Sequence, residues 1–166
     1  ERIGDVYVAL GDMAKARDAF DVSFRIANDL VRAFPTDQEL RRDLSVSYER
    51  LGDMMIAEGD YDAALASYGE AVKIRDDLAA LDPENRMRQR DSAVTYERIG
   101  DIYNLMGDTG SALMSQEAAR DIRQKLVALD PSNTTWARDL SVSHQRVGEL
   151  HYQEGDYPGA LEAYEL

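Results

Sequence analysis

The sequence predicts an all-α chain, a right-handed superhelical solenoid of antiparallel helix pairs, and three observations carry that reading. A five-residue block recurs at a fixed offset of 48 residues, as Glu1-Arg2-Ile3-Gly4-Asp5, Glu49-Arg50-Leu51-Gly52-Asp53 and Glu97-Arg98-Ile99-Gly100-Asp101, with Gln145-Arg146-Val147-Gly148-Glu149 as a weaker fourth copy. Further landmarks keep the same period: Gly11-Asp12, Gly59-Asp60, Gly107-Asp108 and Gly155-Asp156; Pro35, Pro83 and Pro131; Arg42-Asp43, Arg90-Asp91 and Arg138-Asp139. Between the landmarks, apolar residues recur in steps of three and four, the spacing of one helical face.

The elements follow in order. A first helix is expected from about Gln38 to Glu58, with Leu40, Leu44, Tyr48, Leu51 and Met55 as its apolar face. Thr36 followed by Glu39 matches a capping box at its start. Gly59 suits the left-handed position that ends a helix, and Asp60 is placed to cap the next. The second helix is expected from about Tyr61 to Leu81, carrying Ala64, Leu65, Tyr68, Ala71, Val72, Leu78 and Leu81, and Pro83 stops it. Pro158 falls in the first turn after Asp156, where a missing N–H costs little. The single domain then divides into a partial unit at about 1–35, whole units at 36–83 and 84–131, and a partial unit at 132–166.

The order Tyr48, Leu51, Gly52, Met55, Gly59, Tyr61, Ala64, Tyr68, Ala71 resembles the tetratricopeptide repeat signature, and it recurs as Tyr96, Ile99, Gly100, Tyr103, Gly107, Ala112, Ala119. Thr109 and Gln116 stand where that signature has aromatics, and Ser23 where it has a small apolar residue. The usual unit of the family is 34 residues, so each repeat here is longer. Its helices should run to about 20 residues and about 30 Å, a form similar to long repeats of bacterial signalling proteins. The resemblance implies a non-enzymatic scaffold that binds protein in a concave groove lined by the first helix of each repeat.

Composition narrows the partners. The net charge of −13 opposes nucleic acid and anionic membranes, both of which select basic surfaces. With no cysteine there is no disulfide framework and no thiolate site. The expected partner is a protein or peptide, of basic character if the charge guides it. A cytoplasmic location is expected. The start at Glu1, without methionine or leader, reads as a segment of a longer product.

On a helical wheel Arg42, Val46, Glu49, Asp53 and Ile56 lie opposite the packing face and should look into the groove. Stacking turns them into rows: Arg42, Arg90, Arg138; Val46, Val94, Val142; Glu49, Glu97, Gln145; Asp5, Asp53, Asp101, Glu149; and Val8, Ile56, Asn104, Tyr152. A basic row beside acidic rows can orient a charged peptide, while valines and Tyr152 offer sockets for apolar anchors. Equally, the charges can pair with neighbouring repeats as a solvated face. The family's clamp for a C-terminal carboxylate, built from Lys and Asn, is not matched by Asp53 and Asp101. His144 and His151 share a helical face but fall in the packing columns of Tyr48 and Tyr7, so no metal or other cofactor is expected. The Glu49/Asp53 and Glu97/Asp101 pairs recur along the array, which suits a surface better than acid–base catalysis. Two competing roles remain: a self-associating module that stacks end to end, and a sensor segment of a larger signalling protein.

Overall fold

A computed structural model describes residues 2–165. They form eight helices: α1 (Arg2–Ala9), α2 (Met13–Ala33), α3 (Gln38–Glu58), α4 (Tyr61–Leu81), α5 (Arg86–Met106), α6 (Thr109–Leu129), α7 (Thr134–Glu154) and α8 (Tyr157–Glu165). Among the described residues there is no strand, and no helix is long and apolar enough to cross a membrane. The chain divides into two compact units, residues 1–78 and 79–166. The helices of the whole repeats are each 21 residues long, about 31 Å at the standard rise.

The Gly-Asp pairs make the hairpins. Gly11, Gly59, Gly107 and Gly155 sit at φ of 75, 79, 79 and 80°, a conformation that costs a residue with a Cβ. In each, the following aspartate donates its N–H back to the helix just ended: Asp60 to the Met55 carbonyl and Asp108 to that of Tyr103, both at 2.9 Å. Its carboxylate then accepts from the first turn of the next helix, Asp60 from Ala63 N and Asp108 from Ser111 N. Two residues thus close one helix and open another.

The turn before α3 differs from the expectation. The cap is Asp37, which accepts from the amides of Glu39 and Leu40, and not Thr36. Asn85 and Asn133 cap α5 and α7 from the equivalent place. An Asx residue recurs at that position, whereas the Thr36 position becomes Glu84 and Ser132.

Within each unit the second helix of a pair packs on the first helices at either side. In the first unit α2 lies against α1 and α3, and in the second α6 lies against α5 and α7. Small residues permit the approach: Ala16, Ala64 and Ala112 are wholly buried, and Ala160 nearly so. Opposite them, Gly52 takes the ring of Tyr68, where an added Cβ would stand 2.6 Å from two ring carbons. Leu44 and Leu51 are buried as expected, and Tyr48 meets Phe24 edge-on at 4.9 Å. Met55 packs partly buried against the core as the wheel placed it, but the wheel passed over Met54, and Met54, Ile102 and Leu150 are the fully buried column. A helix packed on two sides buries a wider arc than one stripe.

Candidate functional site

The predicted groove residues fall in two sets, one in each unit. In the first unit they lie on α3, with Asp5 and Val8 on α1. In the second they lie on α5 (Arg90, Val94, Glu97, Asp101, Asn104) and α7 (Arg138, Val142, Gln145, Glu149, Tyr152).

The acidic rows are not bare. Glu49 is held by both Nη atoms of Arg75, each at 2.7 Å, in a bidentate pair with a buried guanidinium from α4. The same pairing recurs one period later, where Arg123 of α6 is buried and donates to Glu97. Arg123 also donates to Ser143 Oγ on α7 at 2.6 Å, so one guanidinium ties α5, α6 and α7 together. Arg146 of α7 reaches back to Glu97 Oε1 at 3.1 Å and to Asp101. In the first unit Arg50 of α3 makes the equivalent approach to Asp5 of α1, at 3.5 Å.

Asp53 accepts the Tyr68 hydroxyl at 2.5 Å. Its counterpart Asp101 instead accepts Gln116 Nε2 at 3.2 Å, because Gln116 occupies the place of that ring. Burial pushes the Asp101 carboxyl above its ordinary range, against the attraction of Arg146 and, more weakly, Arg98, with Glu97 adding to the rise. Arg90 pairs with Asp139 at 3.0 Å, a contact between α5 and α7. Gln145 donates to Glu149 at 2.9 Å. The pairing alternative for the charged rows is therefore the arrangement seen at Glu49, Glu97, Asp101 and Arg90.

The uncharged members stand differently. Val94, Val142 and Tyr152 are 36, 39 and 62% exposed, and Asn104 is exposed beside them. Val46 and Ile56 are half-buried in the first unit, as is Arg42, while Arg138 in the second unit is exposed. His144 is buried at its packing position, and burial together with the charge of Arg120 holds its pKa below the ordinary value of 6.5. His151 Nδ1 lies 3.0 Å from Asp156. Among the described residues no three His, Cys, Asp or Glu side chains gather as a metal site. What remains exposed on this face of the first helices is apolar, Val94, Val142 and Tyr152, set among charges already engaged by neighbours.

Sequence reasoning missed Arg75, Arg123 and Arg146. A signal was present for two of them, since Arg75 and Arg123 interrupt the apolar stripes of α4 and α6 at the same 48-residue offset as Glu49 and Glu97.

The fold is an all-helical array of helix pairs, similar to that of tetratricopeptide repeats. Residues 45–78 match the family model of the tetratricopeptide repeat, the segment that holds most of α3 and nearly all of α4. Among solved structures the chain is similar to BtubC (BKLC) from P. vanneervenii, with a TM-score of 0.73 at 22% identity over 98% of this chain. It spans 58% of the length of that structure. It is also similar to the MamA protein, at 16% identity over 98% of this chain and 88% of that one, with a TM-score of 0.47. No curated protein matches the sequence.

Proposed function

We propose that this chain is a protein-interaction scaffold that holds a partner polypeptide along the groove face of its first helices. The exposure of Val94, Val142 and Tyr152 supports the reading, because on one face two valines and a tyrosine stay open while the carboxylates behind them are engaged. Apolar anchors then supply affinity, and the acidic balance of the chain favours a basic partner and speeds its approach. The charged rows act mainly as struts that fix the spacing of the sockets. No enzymatic role and a cytoplasmic setting are part of the same reading.

The test is capture of partners from the source lysate by the wild type and by a Val94→Asp, Val142→Asp variant. Both positions are partly exposed, so the variant should fold, with an unchanged melting midpoint. Capture should fall about tenfold or more, since each buried charge costs at least a kilocalorie per mole at an interface. Undiminished capture removes the groove face from consideration.

A second reading, self-association, is favoured by a different observation. In the first unit an open apolar cavity of about 520 Å³ is lined by Ile3, Tyr7, Val22 and Ile26. Ile3 is 68% exposed whereas Leu51, one period on, is 7% exposed. Sedimentation over a wide concentration range decides it. A monomer throughout removes stacking, and a concentration-dependent dimer abolished by Ile26→Asp supports it.

A further inference from the structure

The second unit holds a small polar cavity of about 50 Å³ where α5, α6 and α7 meet. It exists because of one residue. The column Phe20, Tyr68, Gln116, Tyr164 places a side chain of each second helix over a glycine of the first, and only Gln116 of these lacks a ring. Tyr68 fills that space and spends its hydroxyl on Asp53. Gln116 is shorter and leaves room.

One buried acceptor in the cavity wall is unmet. Gln116 is 2% exposed, and its Nε2 is used by the Glu97 carbonyl and by Asp101. Its Oε1 is buried and has no hydrogen-bond partner among the described residues. Asp101 and Glu149 line the same space as acceptor-only carboxylates, beside Asn104 and Gln153, whose amides both donate and accept. A buried amide oxygen left unpaired costs about 1–3 kcal/mol, which a bound donor would recover. The charged side chains that line the cavity are two carboxylates, Asp101 and Glu149, against one guanidinium, Arg146. Arg146 is already committed to Asp101 and Glu97. Desolvation of Asp101 still outweighs the pull of Arg146 and Arg98 on its carboxyl, so the cations present leave it undercompensated.

We infer that this cavity receives the ammonium group of a lysine on the partner polypeptide, held by Gln116 Oε1 and the carboxylates of Asp101 and Glu149. Size selects lysine over arginine. An ammonium is close to a water molecule, about 30 Å³ in its share of liquid volume, and carries three tetrahedral donors. A planar guanidinium needs a longer slot. The inference rests on the groove face being the binding face. It adds a single anchoring subsite to it, in the third helix pair alone among the described residues.

The test is amide NMR of the labelled chain titrated with the blocked tripeptide acetyl-Gly-Lys-Gly-amide at constant ionic strength. The norleucine and arginine tripeptides serve as comparison arms. The expected result is a saturable shift at Gly100, Asp101, Asn104, Glu149, Gln153 and the Gln116 side-chain amide with lysine only. Gln116→Tyr, which places at this site the residue found at Tyr68, should abolish it. Glu149→Gln, at an exposed position, should weaken it about tenfold. Shifts equal for norleucine, equal for arginine, absent altogether, or persisting in Gln116→Tyr overturn the inference and leave a water site. Should lysine fail while partner capture still depends on Val94 and Val142, the subsite falls and the scaffold reading stands. Should both fail, the groove face itself is wrong.

Discussion

Replacing Glu97 by alanine should destabilise the chain far more than any ligand-facing carboxylate would. Glu97 is 19% exposed and accepts from Arg123, whose side chain is 6% exposed, and from Arg146. Removing it leaves the Arg123 guanidinium buried with Ser143 Oγ as its remaining named partner. Stripping one member from a buried ion pair costs about 3–5 kcal/mol, because the orphaned charge keeps its desolvation penalty. Glu97 is not wholly buried and Arg146 retains Asp101, so about 2–3 kcal/mol is the expected loss. At about 2–4 °C per kcal/mol for a chain of this size, the melting midpoint should fall by roughly 4–12 °C. Far-ultraviolet circular dichroism, which reads the helical backbone, follows the melt. Glu149→Ala is the comparison: an exposed carboxylate on the same face, expected within about 0.5 kcal/mol of wild type. If the two variants melt together, the acidic row is not structural, and the ligand reading of Glu49 and Glu97 regains its place.

Four other substitutions test the packing and the titration. Gly52→Ala would put a Cβ 2.6 Å from the Tyr68 ring, and overpacking of about 1–3 kcal/mol should exceed the gain of about 1 kcal/mol in helix propensity. Gly69→Ala, where nothing lies within 4 Å, should instead stabilise by about 0.5–1 kcal/mol in urea titrations, and a reversed order would discredit the ring-over-glycine contact. Tyr68→Phe removes the 2.5 Å bond to Asp53 and should cost about 1 kcal/mol by the same measurement, with no loss meaning that the bond is absent in solution. His144 has its pKa lowered by burial, so between the lowered value and 6.5 the unfolded chain binds more protons than the folded one. Its contribution is present above pH 6.5 and lost as the pH falls through the folded value. Stability of the wild type should therefore drop more steeply on acidification than that of His144→Tyr, and equal slopes in urea midpoints across that window would contradict the burial.

Much of the fold was legible because a repeat tests its own reading. The bounds of α3 and α4 fall at Gln38–Glu58 and Tyr61–Leu81, where periodicity and the Gly-Asp turn placed them. The N-cap was misread at Thr36 because a single copy offered a plausible capping box, whereas three aligned copies single out Asp37, Asn85 and Asn133. Met54 was missed because one wheel assumes one buried stripe, while α3 is covered from two sides. The engagement of the charged rows was not legible. Glu49 and Glu97 look alike whether solvated or clasped, and only the approach of Arg75 and Arg123 from the next helix distinguishes them.

The sequence by itself determined the helices, their turns and their period, since these depend on dihedral preferences and apolar spacing within a few residues. Tertiary structure decided which charges are paired and which apolar side chains stay exposed. Those outcomes depend on distances between residues 15 to 45 positions apart, such as Tyr68 to Asp53 and Arg146 to Asp101. It also decided that Gln116, a departure in sequence, leaves a cavity. A missing ring becomes a space only when the surrounding helices hold their separation.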